Sequence, residues 1–168
     1  ESAVGNDTVL VGSGGVLSSS LRAGVGDDLV SISGGITDGS LFGGTGNDSF
    51  DFTGGTNKAS GVVDTGAGVD SLLLGAGADT ITLTGALTST SLTAGSGADS
   101  LVVQANVASG YFDLSAGVGG AADDTLNFLP SSVSAVSTTI KGGNGQDVVS
   151  LYGANDVVFA VSSGDSVF

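Results

Sequence analysis

A short phrase recurs along this chain: a small residue, then Gly-x-Gly-x-Asp-x and an apolar residue. It runs Ala23-Gly24-Val25-Gly26-Asp27-Asp28-Leu29-Val30, Gly43-Gly44-Thr45-Gly46-Asn47-Asp48-Ser49-Phe50 and Thr65-Gly66-Ala67-Gly68-Val69-Asp70-Ser71-Leu72. It continues as Leu74-Gly75-Ala76-Gly77-Ala78-Asp79-Thr80-Ile81, Ala94-Gly95-Ser96-Gly97-Ala98-Asp99-Ser100-Leu101 and Gly142-Gly143-Asn144-Gly145-Gln146-Asp147-Val148-Val149. Weaker copies end at Asp7, Asp124, Asp156 and Asp165. Repetition at this scale constrains the fold more than any propensity does, because each unit is too small to bury its own apolar residues and must stack on its neighbours.

Successive motif aspartates lie 21, 20, 22, 9, 20, 25, 23, 9 and 9 residues apart. A coil of two turns and two short strands, each half about nine or ten residues, generates both spacings. A step of nine carries the motif to the opposite turn, and a step of about twenty returns it to the same side. Residues after the aspartates alternate as strands do, in Phe50-Asp51-Phe52, Ile81-Thr82-Leu83 and Leu126-Asn127-Phe128. No stretch has helical periodicity. The expected fold is all-β, a parallel β-solenoid of about eight two-strand coils with Gly-rich turns, forming one domain over residues 1–168. Strands stacked ~4.8 Å apart make a rod on the order of 40 Å long. Its interior is Val, Leu, Ile and Phe, with Phe50, Phe52, Phe112, Phe128 and Phe159 the largest members.

Composition narrows the chemistry. The 168 residues carry a net charge of −14, with Arg22, Lys58 and Lys141 the only cations, and lack Cys, His, Met and Trp. Without Cys there is no disulfide framework or thiolate site, and without His the usual general base and transition-metal ligand are missing. Three cations make no footprint for nucleic acid or for an anionic membrane surface. No apolar run approaches the roughly 20 residues of a membrane span. A mean hydropathy of +0.40 is equally unlike a disordered acidic tail. The chain opens at Glu1 without Met, as a processed product or an excerpt does, and stops inside a motif, so either it is cut from a longer chain or rods are expected to meet end to end.

Stacking aligns the motif aspartates in columns. Two carboxylates ~5 Å apart repel by roughly 3 kcal/mol at an effective dielectric near 20. The chain has too few cations to neutralise them, so an external metal is the economical solution. The aspartates proposed as ligands are Asp7, Asp28, Asp48, Asp70, Asp79, Asp99, Asp124 and Asp147. The remaining donors are turn carbonyls, at Gly24, Gly26, Gly44, Gly46, Gly66, Gly68, Gly75, Gly77, Gly95, Gly97, Gly143 and Gly145. An all-oxygen, flexible cage favours Ca²⁺ over Mg²⁺ and excludes Zn²⁺ and Cu²⁺. Asp7, together with Asp156 and Asp165, lies in a degenerate copy and is a weaker candidate.

The phrase Gly43-Gly44-Thr45-Gly46-Asn47-Asp48-Ser49-Phe50 resembles the calcium-binding nonapeptide of the RTX, or hemolysin-type, family, and the similarity extends from Gly5 to about Val167. The resemblance implies a parallel β-roll that holds several Ca²⁺ ions between turns of neighbouring coils, through the motif aspartate and turn carbonyls. It further implies secretion and folding in extracellular calcium. Most coils here are longer than two nonapeptides, and the half-turns Ser18–Ser20, Thr88–Ser91 and Pro130–Ser137 are expected to be metal-free. The family includes S-layer proteins and giant adhesins, which share this poverty in Lys, His, Cys and Met. A non-enzymatic, extracellular structural segment that self-associates or joins a lattice is therefore expected. The alternative is a calcium-triggered secretion or folding module of a type I-secreted toxin or hydrolase.

Other residues carry less. Asp38, Asp51, Asp64 and Asp113 read as solvated strand or loop residues. In the pairs Asp27-Asp28 and Asp123-Asp124, adjacent side chains point to opposite faces, so one is a ligand and the other lies at the surface or just behind it. The glycine loops lack the helix and Gly-Lys-Ser/Thr of a phosphate cradle. Thr80, Thr82 and Thr84 suggest an ice-ordering rank, but neighbouring coils do not repeat it. Tyr111 and Tyr152 are expected to be partly buried.

Overall fold

The computed structural model describes residues 3–13, 19–34, 36–53, 59–115, 122–129, 135–151, 157–160 and 165–168. All regular elements among them are strands, and every pairing between them is parallel. The chain winds as a β-solenoid. One face stacks nine strands in chain order: Ala3–Val4, Ser20–Val25, Ile36–Thr45, Ala59–Asp64, Thr80–Thr84, Ser100–Val103, Thr125–Phe128, Val148–Ser150 and Ser166–Val167. A second face stacks eight: Thr8–Val11, Leu29–Ile32, Ser49–Asp51, Ser71–Ala76, Ser91–Ser96, Tyr111–Asp113, Thr138–Lys141 and Val157–Ala160. No helix among the described residues is long and apolar enough to cross a membrane.

The coils depart from the expected design in one respect, and their number differs slightly from the eight expected. A third face of three short strands, Leu87–Thr88, Val107–Ala108 and Ala135–Val136, joins the other two. Two nonapeptides close a two-sided ring, whereas the coils here run about twenty residues or more, and in the three coils that carry these strands the surplus forms an extra side. Leu87, Val107 and Ala135 face inward from it. Its corner onto the second face is turned by Ser89, Ser109 and Ser137, with φ of 54°, 59° and 50°. The half-turn Thr88–Ser91 belongs to this corner, whereas Ser18 and 130–134 lie outside the described residues.

Inward positions line up in register. Val30, Phe50, Leu72, Leu92, Phe112 and Ile140 stack on the second face, and Leu41, Val63, Leu83, Val103 and Phe128 on the first. All are buried in one continuous core, where the rings of Phe112 and Phe128 meet edge to face at 5.9 Å. Each such side chain contributes roughly 1.5–3 kcal/mol by leaving water. Phe52 is also buried, as expected, while the Phe159 side chain lies outside the described residues.

The glycine alternation has a cause that lies between coils. Gly44 and Gly46 adopt φ of 118° and 130°, a region that favours residues without a Cβ. A Cβ at Gly44 would collide with the carbonyl oxygen of Gly24, and one at Gly46 with that of Gly26. The same contact recurs from Gly44 to Gly66, Gly46 to Gly68, Gly75 to Gly95 and Gly77 to Gly97. Carbonyls at these turns are thus directed along the rod at the α-carbon one coil on.

Candidate metal centre

Each motif aspartate sits at the end of a glycine turn, immediately before a strand. Asp7, Asp28, Asp48 and Asp70 precede strands of the second face, so they share one edge of the rod. Asp79, Asp99, Asp124, Asp147 and Asp165 precede strands of the first face and share the other. The nine-residue step from Asp70 to Asp79 is where the column changes edges, as the spacing predicts. Beyond Asp70 the first edge continues with Thr90, whose carbonyl accepts the Tyr111 amide just as that of Asp70 accepts the Ser91 amide. Thr90-Ser91-Leu92 repeats the phase of Asp70-Ser71-Leu72, a signal the search for aspartates passes over.

Asp28, Asp48, Asp70, Asp79, Asp99, Asp124 and Asp147 are all buried, at 1–3% exposure, while Asp7 and Asp165 are half-buried. Asp156 lies outside the described residues. In each column the two carboxylate oxygens have different environments. Oδ1 accepts the backbone amide of the aspartate one coil earlier: Asp7 to Asp28 at 2.8 Å, Asp28 to Asp48 at 3.0 Å and Asp48 to Asp70 at 2.9 Å. On the other edge Asp79 donates to Asp99 and Asp99 to Asp124, both at 2.8 Å, then Asp124 to Asp147 at 2.9 Å and Asp147 to Asp165 at 3.1 Å. Oδ2 of Asp28, Asp48, Asp99, Asp124 and Asp147 is buried and accepts no hydrogen bond. Leaving a charged oxygen dry and unpaired is strongly unfavourable.

A second, outer ladder runs in the opposite sense. Asn6 accepts the Asp27 amide at 3.0 Å, Asp27 that of Asn47 at 2.8 Å, and Asn47 that of Val69 at 2.9 Å. Asp123 accepts the Gln146 amide at 2.8 Å. Asp27 and Asp123 are therefore the exposed members of their pairs, with structural work of their own. The pairs alone place these residues at the surface or just behind the ligand and do not foretell the ladder; its signal is the polar residue directly before the motif aspartate.

Electrostatics follow from this crowding. Burial raises the carboxyls of Asp48, Asp70, Asp99, Asp124 and Asp147 above the ordinary range, while the amide each accepts pulls the other way. Flanking carboxylates add to the rise. Asp99 is pushed to about 7 and Asp124 to about 6. Arg22 and Lys141 are engaged elsewhere. The Arg22 guanidinium lies 4.1 Å over the Phe42 ring, and Lys141 lies 3.7 Å from Asp113 and over Tyr111.

Two expectations about the remaining aspartates change. Asp113 is not simply solvated: it accepts hydrogen bonds from the Tyr111 hydroxyl and from the amide and hydroxyl of Ser115. Burial opposes its charge, but those donors and Lys141 outweigh it and hold the carboxyl below its ordinary value. Asp51 accepts the Thr53 amide and hydroxyl in a local turn, and the Asp64 carboxylate packs against Gly85. Tyr111 is half-buried; Tyr152 and the Asp38 side chain lie outside the described residues. Thr80 is flanked by Ser60 and Ser100, and Thr82 by Val62 and Val102, so neighbouring coils do not extend the threonine rank.

The donor set fits a hard cation. Its best-placed oxygens are the Oδ2 atoms, which face the inside of the turn. A Cβ at Gly142 would stand 2.6 Å from Asp147 Oδ2 and 3.1 Å from Asp165 Oδ2, so oxygens of successive coils approach the same glycine. At Gly43, Asp48 Oδ2 and the Thr65 carbonyl converge in the same way. The carbonyls of Gly24, Gly26, Gly44, Gly46, Gly75 and Gly77 instead face the next coil's glycines. Gly66, Gly68, Gly95, Gly97, Gly143 and Gly145 occupy equivalent turn positions, also at positive φ. Among the described residues no three acidic side chains gather in one cluster; the donors form a line. No protein-family model, curated protein or solved structure matches the chain.

Proposed function

We propose that this chain is a calcium-binding structural segment of a secreted or cell-surface protein of the S-layer or adhesin kind, with Ca²⁺ stiffening the rod. The observation that carries the reading is the divided carboxylate. Oδ1 closes the ladder between coils, and Oδ2 stays buried with no hydrogen bond at Asp28, Asp48, Asp99, Asp124 and Asp147. Turn chemistry alone explains the first oxygen and leaves the second at a loss. A divalent cation held by oxygen donors of adjacent coils removes that loss, and the absence of Cys and His leaves no donors for softer metals. Without His or Cys in the chain, a role without catalysis is the simplest reading, with contacts to further copies or other surface proteins supplied by the rod's sides.

Calorimetric titration of metal-depleted protein with CaCl₂ tests this. Several ions per chain are expected, with a rise in melting temperature, because an ion at a hundredfold its Kd stabilises by about 2.7 kcal/mol per site. Asp48→Asn should remove about one site and leave the far edge intact. No binding heat and an unchanged melting temperature in millimolar calcium would overturn the reading.

A further inference from the structure

The two edges are built differently although both carry the motif. Along the first, three successive steps of the outer ladder are made: Asn6 accepts from Asp27, Asp27 from Asn47 and Asn47 from Val69. The turn amides of Asp27-Asp28 and Asn47-Asp48 are thus tied once inward and once outward by the protein itself. Along the second edge the outer positions of two successive coils are Ala78 and Ala98, which have no side-chain acceptor. Among the described residues, the one outer step closed there runs from the Gln146 amide to Asp123. The second edge also stacks more motif aspartates, Asp79 to Asp165 against Asp7 to Asp70, so more like charge lies along the edge with alanines at two outer positions.

We propose that the two edges answer differently to cation withdrawal: the turns around Asp79, Asp99 and Asp124 open when calcium is removed, while those around Asp28 and Asp48 stay closed. This rests on the calcium reading above and adds a division of labour to it. One edge is a self-supporting seam; the other is a calcium-responsive one. Buried Oδ2 atoms without hydrogen bonds mark ion positions on both edges, at Asp28 and Asp48 as at Asp99 and Asp124, so it is the outer ladder that distinguishes them. The larger core and third face of that half do not replace the missing ladder, because they pack strand side chains and leave the turn amides of residues 98 and 123 unbonded to the side chains beside them.

The test is amide hydrogen exchange, resolved by peptide, on the full chain in calcium and in EGTA. Exchange in peptides covering 95–100 and 122–126 is expected to rise at least tenfold in EGTA, while 24–29 and 44–49 change less than twofold. The double variant A78N/A98N, at two exposed positions, supplies the missing acceptors and is expected to restore protection in EGTA. Calcium binding with an equal response at both edges overturns the inference and spares the calcium reading. Failure of the double variant to restore protection also overturns it, since the outer ladder is then not the determinant. Absence of any calcium effect at either edge sinks both.

Discussion

At the scale of single residues, the alternating glycines are the most legible feature of the sequence, and their full cause is the least. Positive φ at Gly46 is readable from the turn pattern alone. The approach of the Gly26 carbonyl to its α-carbon is not, because it belongs to a residue twenty positions earlier that becomes a neighbour only through stacking. Both constraints act on the same hydrogen. Gly46→Ala is therefore expected to lose about 3 kcal/mol or more, through a backbone collision combined with a disfavoured φ. Thr45→Ala, at the exposed neighbour, should stay within about 0.5 kcal/mol. Urea unfolding in saturating calcium measures both. The identity of Asp48 as a buried ligand candidate was likewise legible, whereas the different fates of its two oxygens depend on where the Asp28 amide comes to rest.

At the scale of the element, burial and the carboxylates beside them set the charge of Asp99 and Asp124. Asp99 and Asp124 are raised to about 7 and about 6 from an ordinary 3.8, so the folded chain holds their protons more tightly than the unfolded one. Such groups stabilise fully below the unfolded value, and that contribution is lost as pH climbs through the folded one. Metal-depleted protein is accordingly expected to melt at a lower temperature at pH 8 than at pH 5. Saturating calcium, which competes with those protons, should flatten or invert the trend. A melting temperature that rises over this window without metal would contradict the burial of these carboxyls. The change of edge between Asp70 and Asp79 was legible from a spacing of nine. The third face was not, since a surplus of two or more residues per coil does not say whether it bulges outward or adds a side; the inward placing of Leu87, Val107 and Ala135 decides it.

For the whole molecule, stability is a sum over neighbouring coils rather than the property of a single nucleus. Phe112 illustrates this: it packs between Leu92 and Ile140 along the face and meets Phe128 across the interior. Phe112→Ala should cost about 3–5 kcal/mol in chemical unfolding. The loss of protection is expected to centre on coils 92–140, with the coil at Val30 and Phe50 least affected. An even loss along the rod would mean that the coils melt as one unit. Alternation after each aspartate made this core readable, because the period of two fixes which side chains turn inward once the aspartate sets the phase. What the alternation leaves open is partner choice, since many strands here are interchangeable by composition.

Phase within each pairing is where the glycine-to-carbonyl contacts matter most. A coil displaced by a single position would seat Thr45 or Asn47 where only a hydrogen fits, at the Gly46 position against Gly26, and in one direction Thr45 at the Gly44 position against Gly24 as well. A slip of one residue is thus rejected by steric exclusion at these turns. They act as a comb that holds each coil in phase with the one before it.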